Sequence, residues 1–297
     1  MAVLRPAGEF DTSYAEDMAT IRRKWQWIVL VLFIIAMYTL PLYASQSIVA
    51  LVNRVCITII AIQGLNLLTG YTGQISLGQA AFMTTGGYIS ALLVNYLGLP
   101  FYLSMPVAAL GAGLVGLLFG LPSLRVKGFY LVMATLAAQF IIPWFTRNAF
   151  KDLLNGAQGL NVEVPALFGV VINTPQRYLI LTLSVLIVTT IVAHNVSRSR
   201  LGRAFITIRD NDLAAEVLGV NLFRVKLQAF VLAAMYAGLA GALAAHQLRH
   251  INSETFNLSD SIIFMGMLVI GGLGSNLGPF FGAVVVELLI EIATILG

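Results

Sequence analysis

Ionisable side chains are scarce in the apolar parts of this sequence, and the few present raise the first chemical question. Glu287 and Glu291 stand four apart in the last apolar run, hence on one face of a helix. Such a pair could pass protons in a secondary carrier. With no basic residue nearby in sequence, the pair also describes the polar edge of an amphipathic last helix. Arg54 lies early in the second apolar run, from where its guanidinium can snorkel toward the interface. His194 and His246 fall at the ends of apolar runs, without the Asp, Glu or Cys spacing that a metal site needs. No Ser, His and Asp set converges on a nucleophile, so the residues point neither to catalysis nor to a cofactor. The lone cysteine, Cys56, excludes an intrachain disulfide and a Cys-rich metal centre.

Two glycine-rich stretches imitate nucleotide sites. "GAGLVG", 111–116, has the letters of G-x-G-x-x-G, but that fingerprint needs a strand before it and an acidic residue about 20 positions on. Here it lies within an apolar run, and the next acidic residue is Asp152. Ala109, Gly113, Gly116 and Gly120 instead repeat at helical spacing and form one small-residue face for close helix contact. "GGLGSNLGP", 271–279, belongs to no G-x-x-x-x-G-K-[ST] motif and is expected to break the chain between two helices.

The elements that must position these residues follow from composition. The chain has 297 residues, 59% hydrophobic and 10% charged, with a mean hydropathy of +0.89; soluble domains carry about 25% charged residues. Apolar runs at about 26–44, 48–69, 75–97, 101–121, 128–146, 178–195, 227–247, 260–275 and 279–296 approach or exceed what a bilayer-spanning helix needs. They lack the alternation of barrel strands. The fold class is therefore all-α, a polytopic transmembrane helical bundle of about 8–10 spans. The count changes by one if 69–87 or 271–279 is re-entrant.

The basic residues sit at the ends of these runs, which explains the net charge of +4 by topology and not by nucleic-acid binding. Arg22-Arg23-Lys24 places the N-terminal segment, 1–25, in the cytoplasm. Trp25 and Trp27 anchor an uncleaved first span at the interface. Alternation then puts Arg125, Lys127 and the basic segment 196–226 on the same side, and the loop 147–177 outside. Residues 26–297 form one transmembrane domain.

Within 196–226, Asp210 or Asn211 can cap a short helix over "DLAAEVL", and Gly219 can supply its left-handed stop. Leu213 and Val217 would then show an apolar ridge to the cytoplasm, a surface suited to a partner protein. The stretch "TGYTGQISLGQAAFMTTGG", 69–87, divides into an expected turn or unwound break at 69–73 and a helix beyond it. On that helix Ser76, Ala80, Thr84, Gly87 and Ala91 make a small-residue stripe, with Gly78 near its start.

"GLNLLTGYTGQISLGQAAFMTTGGYISALL", 64–93, "GRAFITIRDNDLAAEVLGVNLFRVKLQAFVLAAMYAGLAGAL" and "GGLGSNLGPFFGA", 271–283, together resemble the LivM-type permease of branched-chain amino-acid ABC importers. The resemblance runs in the family's order from residue 48 onward and makes the bundle one of ABC importer permease type. It implies a multi-pass subunit of the bacterial inner membrane, paired with a second homologous permease. Two cytoplasmic ABC ATPase subunits and a periplasmic or extracellular substrate-binding protein complete the assembly. "IRDNDLAAEVLG" is similar to the family's EAA-like coupling loop, which assigns ATPase coupling to Arg209, Asp210, Asn211, Asp212, Leu213, Ala214, Ala215, Glu216, Val217 and Gly219. For zwitterions with apolar side chains, a path of small and uncharged polar groups would serve, with candidates Gln63, Asn66, Gln74, Ser76, Gln79, Thr84 and Gln139. Each of these could instead serve in an interhelical hydrogen bond. A permease for a sugar, urea or an aromatic acid remains an alternative, as does a proton-coupled carrier using Glu287 and Glu291. Family members continue past 283 into a further helix and a basic tail. This sequence ends at Gly297, which leaves two readings, a short member or a missing terminal span.

Overall fold

The computed structural model describes residues 24–123, 130–149, 151–167 and 170–296. Arg22, Arg23, Arg125 and Lys127, which carry part of the orientation argument, lie outside the described residues or, for the side chain of Lys24, outside the described side chains. The chain divides into two compact units, Met1–Ala44 and Ser45–Gly297. The first contributes helix α1, Lys24–Tyr43, apolar along its length with Pro41 in its last turn.

The second unit holds α2 (Gln46–Leu65), a π-helix (Asn66–Tyr71), α3 (Gln79–Asn95), α4 (Phe101–Ser123) and α5 (Tyr130–Asn148). After α6 (Lys151–Leu154) come three two-residue strands, β1 (Leu160–Asn161), β2 (Ala166–Leu167) and β3 (Val170–Val171). Then follow α7 (Pro175–Arg198), α8 (Arg200–Asp210), α9 (Asp212–Val217) and α10 (Leu222–Leu248). Strand β4 (His250–Ile251), α11 (Leu258–Gly271) and α12 (Gly278–Leu296) close the chain. Trp25–Leu42, Gln46–Tyr71, Phe101–Pro122, Pro175–Arg198 and Leu222–Leu248 are long and apolar enough to cross a bilayer, and α11 is a shorter apolar helix. A helix lies on every apolar run read from the sequence, so the chain is an all-α polytopic bundle.

Several helices start before their apolar runs because polar caps hold the first turn. Thr174 accepts from Arg177 N ahead of Pro175, and Asn221 accepts from Arg224 N, so α7 and α10 begin in polar sequence. Asn257 and Asp260 form a reciprocal capping box on α11. β1 pairs antiparallel with β4, and β2 with β3.

Helix α10 packs against α2, α3 and α4, α7 packs on α2, and α11 lies against α12. Small residues permit the close crossings. A Cβ on Gly86 would strike the backbone of Gly238, and one on Gly241 the backbone of Met83. Gly87 lies under Ile251 of β4, with Gly241 O 3.1 Å from where its Cβ would be. On α4, a Cβ at Gly113 would meet Met235 Cγ at 2.6 Å, at Gly116 Ala234 Cβ at 2.5 Å, and at Gly120 Leu227 Cδ1 at 3.0 Å. Ala80 and Ala91 of α3 are fully buried. The complementary glycines on α10, Gly238 and Gly241, stand in "AGLAGALAA", at the spacing of one helix face.

The segment 69–73 departs from expectation. It is no turn: Asn66–Tyr71 prolongs α2 as a π-helix, and helix ends only near Gly73, whose φ is +71°. The break is 73–78, so Ser76 lies in it and not on α3, and Gly78 is the N-cap position of α3. At the start of the π-helix the side chain of Asn66 is hydrogen-bonded to the backbone of residues 274–275.

Candidate functional site

Two regions carry the polar chemistry of the bundle: the junction below the short helix α9, and a cavity farther along α2. The junction begins with α8, a helix inside the segment read as a basic loop. Ser199 caps it, and Gly202, Phe205 and Ile208 turn inward, Phe205 fully buried. Its spacing was legible, but four basic residues across 198–209, Arg198, Arg200, Arg203 and Arg209, disguised the apolar face. Asp210 ends α8. Asn211 is the cap of α9, its Oδ1 accepting from Leu213 N at 3.0 Å and Ala214 N at 3.1 Å. Gly219, at φ +82°, stops the helix, and Val220 N donates to Ala215 O at 3.0 Å.

Ala215 is buried, so α9 is seated on the bundle by that face, and Lys226 Nζ lies 2.6 Å from Asp212 Oδ2. The opposite face is open: Leu213 is 68% exposed, Val217 88% and Leu218 75%. Leu218 extends the ridge beyond the two residues read from spacing. Ala214 and Glu216 flank it, both exposed.

Arg209 ties this segment to the membrane helices. Its guanidinium donates to Gly70 O at 2.6 Å, within the π-helix. Asn66, one turn earlier, donates to Ser275 O and accepts from Gly274 N, both at 2.9 Å. Gly70 has no room for a Cβ between Asn66 Oδ1 and Gly274 N. Tyr71 OH donates to Asn276 Oδ1 at 2.7 Å, and Asn276 meets His194 at 3.0 Å. The end of α8, the widened end of α2, the end of α7 and the α11–α12 break are thus one hydrogen-bonded unit.

The uncharged polar residues singled out as pathway groups are engaged within the bundle. Gln63 donates to Thr190 at 2.7 Å, Gln79 to Ala61 O at 2.7 Å, and Gln74 to Thr72 at 2.9 Å. Thr84 bonds back to Ala80 O at 3.0 Å, and Ser76 Oγ accepts from Gly78 N at 3.4 Å. Gln139 Oε1 accepts from Ala81 N at 2.9 Å, while Ser261 Oγ accepts from Ala80 N at 3.0 Å. The free N–H groups at the start of α3 are therefore capped by side chains of α5 and α11.

The cavity, of about 500 Å³, lies between α2, α10, α11 and α12 and contains none of those pathway candidates. Its charges are Arg54, Asp260, Glu287 and Glu291. Arg54 Nε is 2.9 Å from Glu287 Oε2, and its Nη2 is 2.7 Å from Glu291 Oε2. Thr58, one turn on from Arg54, donates to Glu287 Oε1 at 2.9 Å. The expectation that Glu287 and Glu291 lack a basic partner, and that Arg54 snorkels alone, is thereby overturned: the partners stand on facing helices, more than two hundred residues apart in sequence. Ile57, Met83, Phe256 and Phe264 supply apolar wall. His246, away from the cavity, is buried against Ser90 at 3.0 Å and tilted over the Phe101 ring.

Comparison with known proteins adds a family. The family described as "Branched-chain amino acid transport system / permease component" matches residues 47–297. The chain is 30% identical to the high-affinity branched-chain amino acid transport system permease protein LivM of Escherichia coli, over 91% of this chain and 68% of that protein. The LivM protein of Salmonella typhimurium is similar to the same extent, 30% over 91% and 68%. The ribose import permease protein RbsC of Haemophilus influenzae is 20% identical over 90% of this chain and 83% of its own. No solved structure matches the chain.

Proposed function

The chain belongs to the branched-chain amino acid transport permease family, and from that premise we propose that it moves branched-chain or other hydrophobic amino acids into the cell, driven by ATP hydrolysed on partner subunits. In this reading it spans the inner membrane beside a second homologous permease. Two ATPase subunits dock from the cytoplasm, and a binding protein delivers cargo from outside. Arg209 to Gly219 form the docking segment on the cytoplasmic side, and the N-terminus is read as cytoplasmic from the basic residues at 22–24.

The observation that carries the proposal is the apolar ridge of α9. Leu213, Val217 and Leu218 face outward on a six-residue helix that is anchored at both ends. A helix that short has no stability of its own in water, and among the described residues its ridge stays largely exposed. It suits a groove on a partner. The hydrogen bond from Arg209 to Gly70 gives a displaced α9 a stiff route into α2, and Asn66 extends that route to the α11–α12 break.

The test is Leu213→Asp with Val217→Asp, made in the importer expressed with its partner genes. Both side chains are exposed, so the amount of folded permease is expected to stay unchanged while ATPase co-purification and L-leucine uptake are lost. Retention of the ATPase at the unmutated level overturns the docking assignment. The similarity to a ribose import permease favours one second reading, the same subunit with a different small solute as cargo. A ligand screen on the co-purified binding protein separates the two.

A further inference from the structure

We infer that the cavity beside Arg54 is a contact site for the amino-acid cargo, in which Arg54 takes the α-carboxylate and Glu291 the α-ammonium. The inference rests on the importer reading above and adds the residues that would meet the cargo. The cavity of about 500 Å³ falls within the range of small-molecule sites. It presents both signs of charge beside apolar wall, the surface an amino acid with an aliphatic side chain requires.

The two limbs of the Arg54 cluster are unequal. Glu287 is held on both oxygens, by Arg54 Nε and Thr58 Oγ1, and its side chain is 8% exposed. That limb is costly to break, because it would leave a carboxylate buried without its partner. Among the described residues Glu291 is held by Nη2 alone, and its side chain is 38% exposed. A solvated pair of that kind is weak.

Opening the Glu291 limb frees the Nη1–Nη2 edge of the guanidinium while Nε stays on Glu287. That edge has the planar fork that binds a carboxylate bidentately. The released Glu291 then faces the ammonium group, and Phe256, Phe264 and Ile57 are within the same cavity for the aliphatic chain. A zwitterion thus replaces one exposed ion pair by two. A simple carboxylic acid cannot do so, because it meets three carboxylates with no ammonium to offer them. An amine without a carboxylate leaves the Arg54 edge unused.

The test uses the permease purified with its ATPase partners, in a Cys56→Ala background with Ser47→Cys as a reporter lining the cavity. The rate of modification by a membrane-impermeant methanethiosulfonate reagent is read with and without added compound. Millimolar L-leucine is expected to slow modification several-fold. 4-Methylpentanoate and 3-methylbutylamine, each with the aliphatic chain and one charge, are expected to need about tenfold higher concentration for the same protection. Glu291→Gln should erase the advantage of L-leucine over 4-methylpentanoate with the amount of assembled complex unchanged. Arg54→Lys, which keeps the charge and loses the fork, should weaken protection by about tenfold. Equal protection by all three compounds, no protection, or full discrimination in Glu291→Gln overturns the site. L-leucine uptake by the unmutated importer, reconstituted with its binding protein, is measured in parallel. Uptake without protection removes the site and leaves the importer reading standing; absence of uptake removes the cargo reading and this inference with it.

Discussion

Replacing Gly86 by Ala places a methyl group at a close backbone crossing, where α3 passes α10. The added Cβ would overlap the carbonyl oxygen and Cα of Gly238. These are backbone atoms in the middle of a helix, so no side-chain rotation can relieve the contact and the two helices must separate. Overpacking of this kind costs about 1–3 kcal/mol, and a backbone collision belongs at the upper end. Ala recovers roughly 1 kcal/mol through helix propensity, leaving a net loss of about 2 kcal/mol. Gly111→Ala provides the control. Its Cβ would meet the terminal Cδ1 of Ile89 at 2.5 Å, with other Ile89 atoms no nearer than 3.7 Å. A rotation of Ile89 about χ2 moves Cδ1 and clears the contact, so cost and propensity gain should nearly cancel. The assay is thermal stability of the purified complex in detergent at a fixed scan rate, read by fluorescence-detected gel filtration. Gly86→Ala should lower the midpoint by roughly 4–8 °C, and Gly111→Ala should leave it within about a degree. A Gly86→Ala midpoint equal to the parent's, or an equal drop in Gly111→Ala, would refute the argument that the α3–α10 crossing is set by backbone approach.

Two predictions concern the docking segment. Asn211→Ala removes the acceptor for Leu213 N and Ala214 N, at a cost of about 1 kcal/mol. ATPase affinity should therefore fall roughly fivefold, measured by titration of the purified subunits, while Asn211→Ser keeps it; equal affinity in Asn211→Ala would show the cap to be irrelevant. Arg209→Ala cuts the bond to Gly70 O and leaves the α9 ridge in place. The ATPase should still co-purify while L-leucine uptake per ATP hydrolysed drops, and an unchanged ratio would exclude this bond as a route of coupling.

Those tests bear on how far a single sequence reveals such a molecule. Helix existence was legible throughout, because length and apolarity alone decide which segments can enter lipid. Boundaries were less so: α7 and α10 begin in polar sequence, since Thr174 and Asn221 cap turns that a hydropathy window assigns to loops. The order of cap, short helix and left-handed stop at Asn211–Gly219 is local, and it was legible to within the choice between Asp210 and Asn211. What stayed hidden depended on residues far apart in the chain. Arg54 and Glu287 are 233 positions apart, and no periodicity links them.

The uncharged polar groups and the charged ones obey one rule in two strengths. Without water, a buried amide or hydroxyl must find a partner inside the bundle. Gln79 on Ala61 O and Gln139 on Ala81 N do so. Their satisfaction across helices is what holds the start of α3 inside the bundle after the break at 73–78. A charged residue obeys the stronger form of that rule: it persists in a span only with a partner or beside a water-filled space. Arg54 and Glu291 have an ion pair, and they line a cavity. Helix α2 carries Arg54 on this cavity and runs into the π-helix that accepts from Arg209, over roughly 24 Å at 1.5 Å per residue. One continuous rod thus joins the segment proposed to receive the ATPase stroke to the charges proposed to meet the cargo.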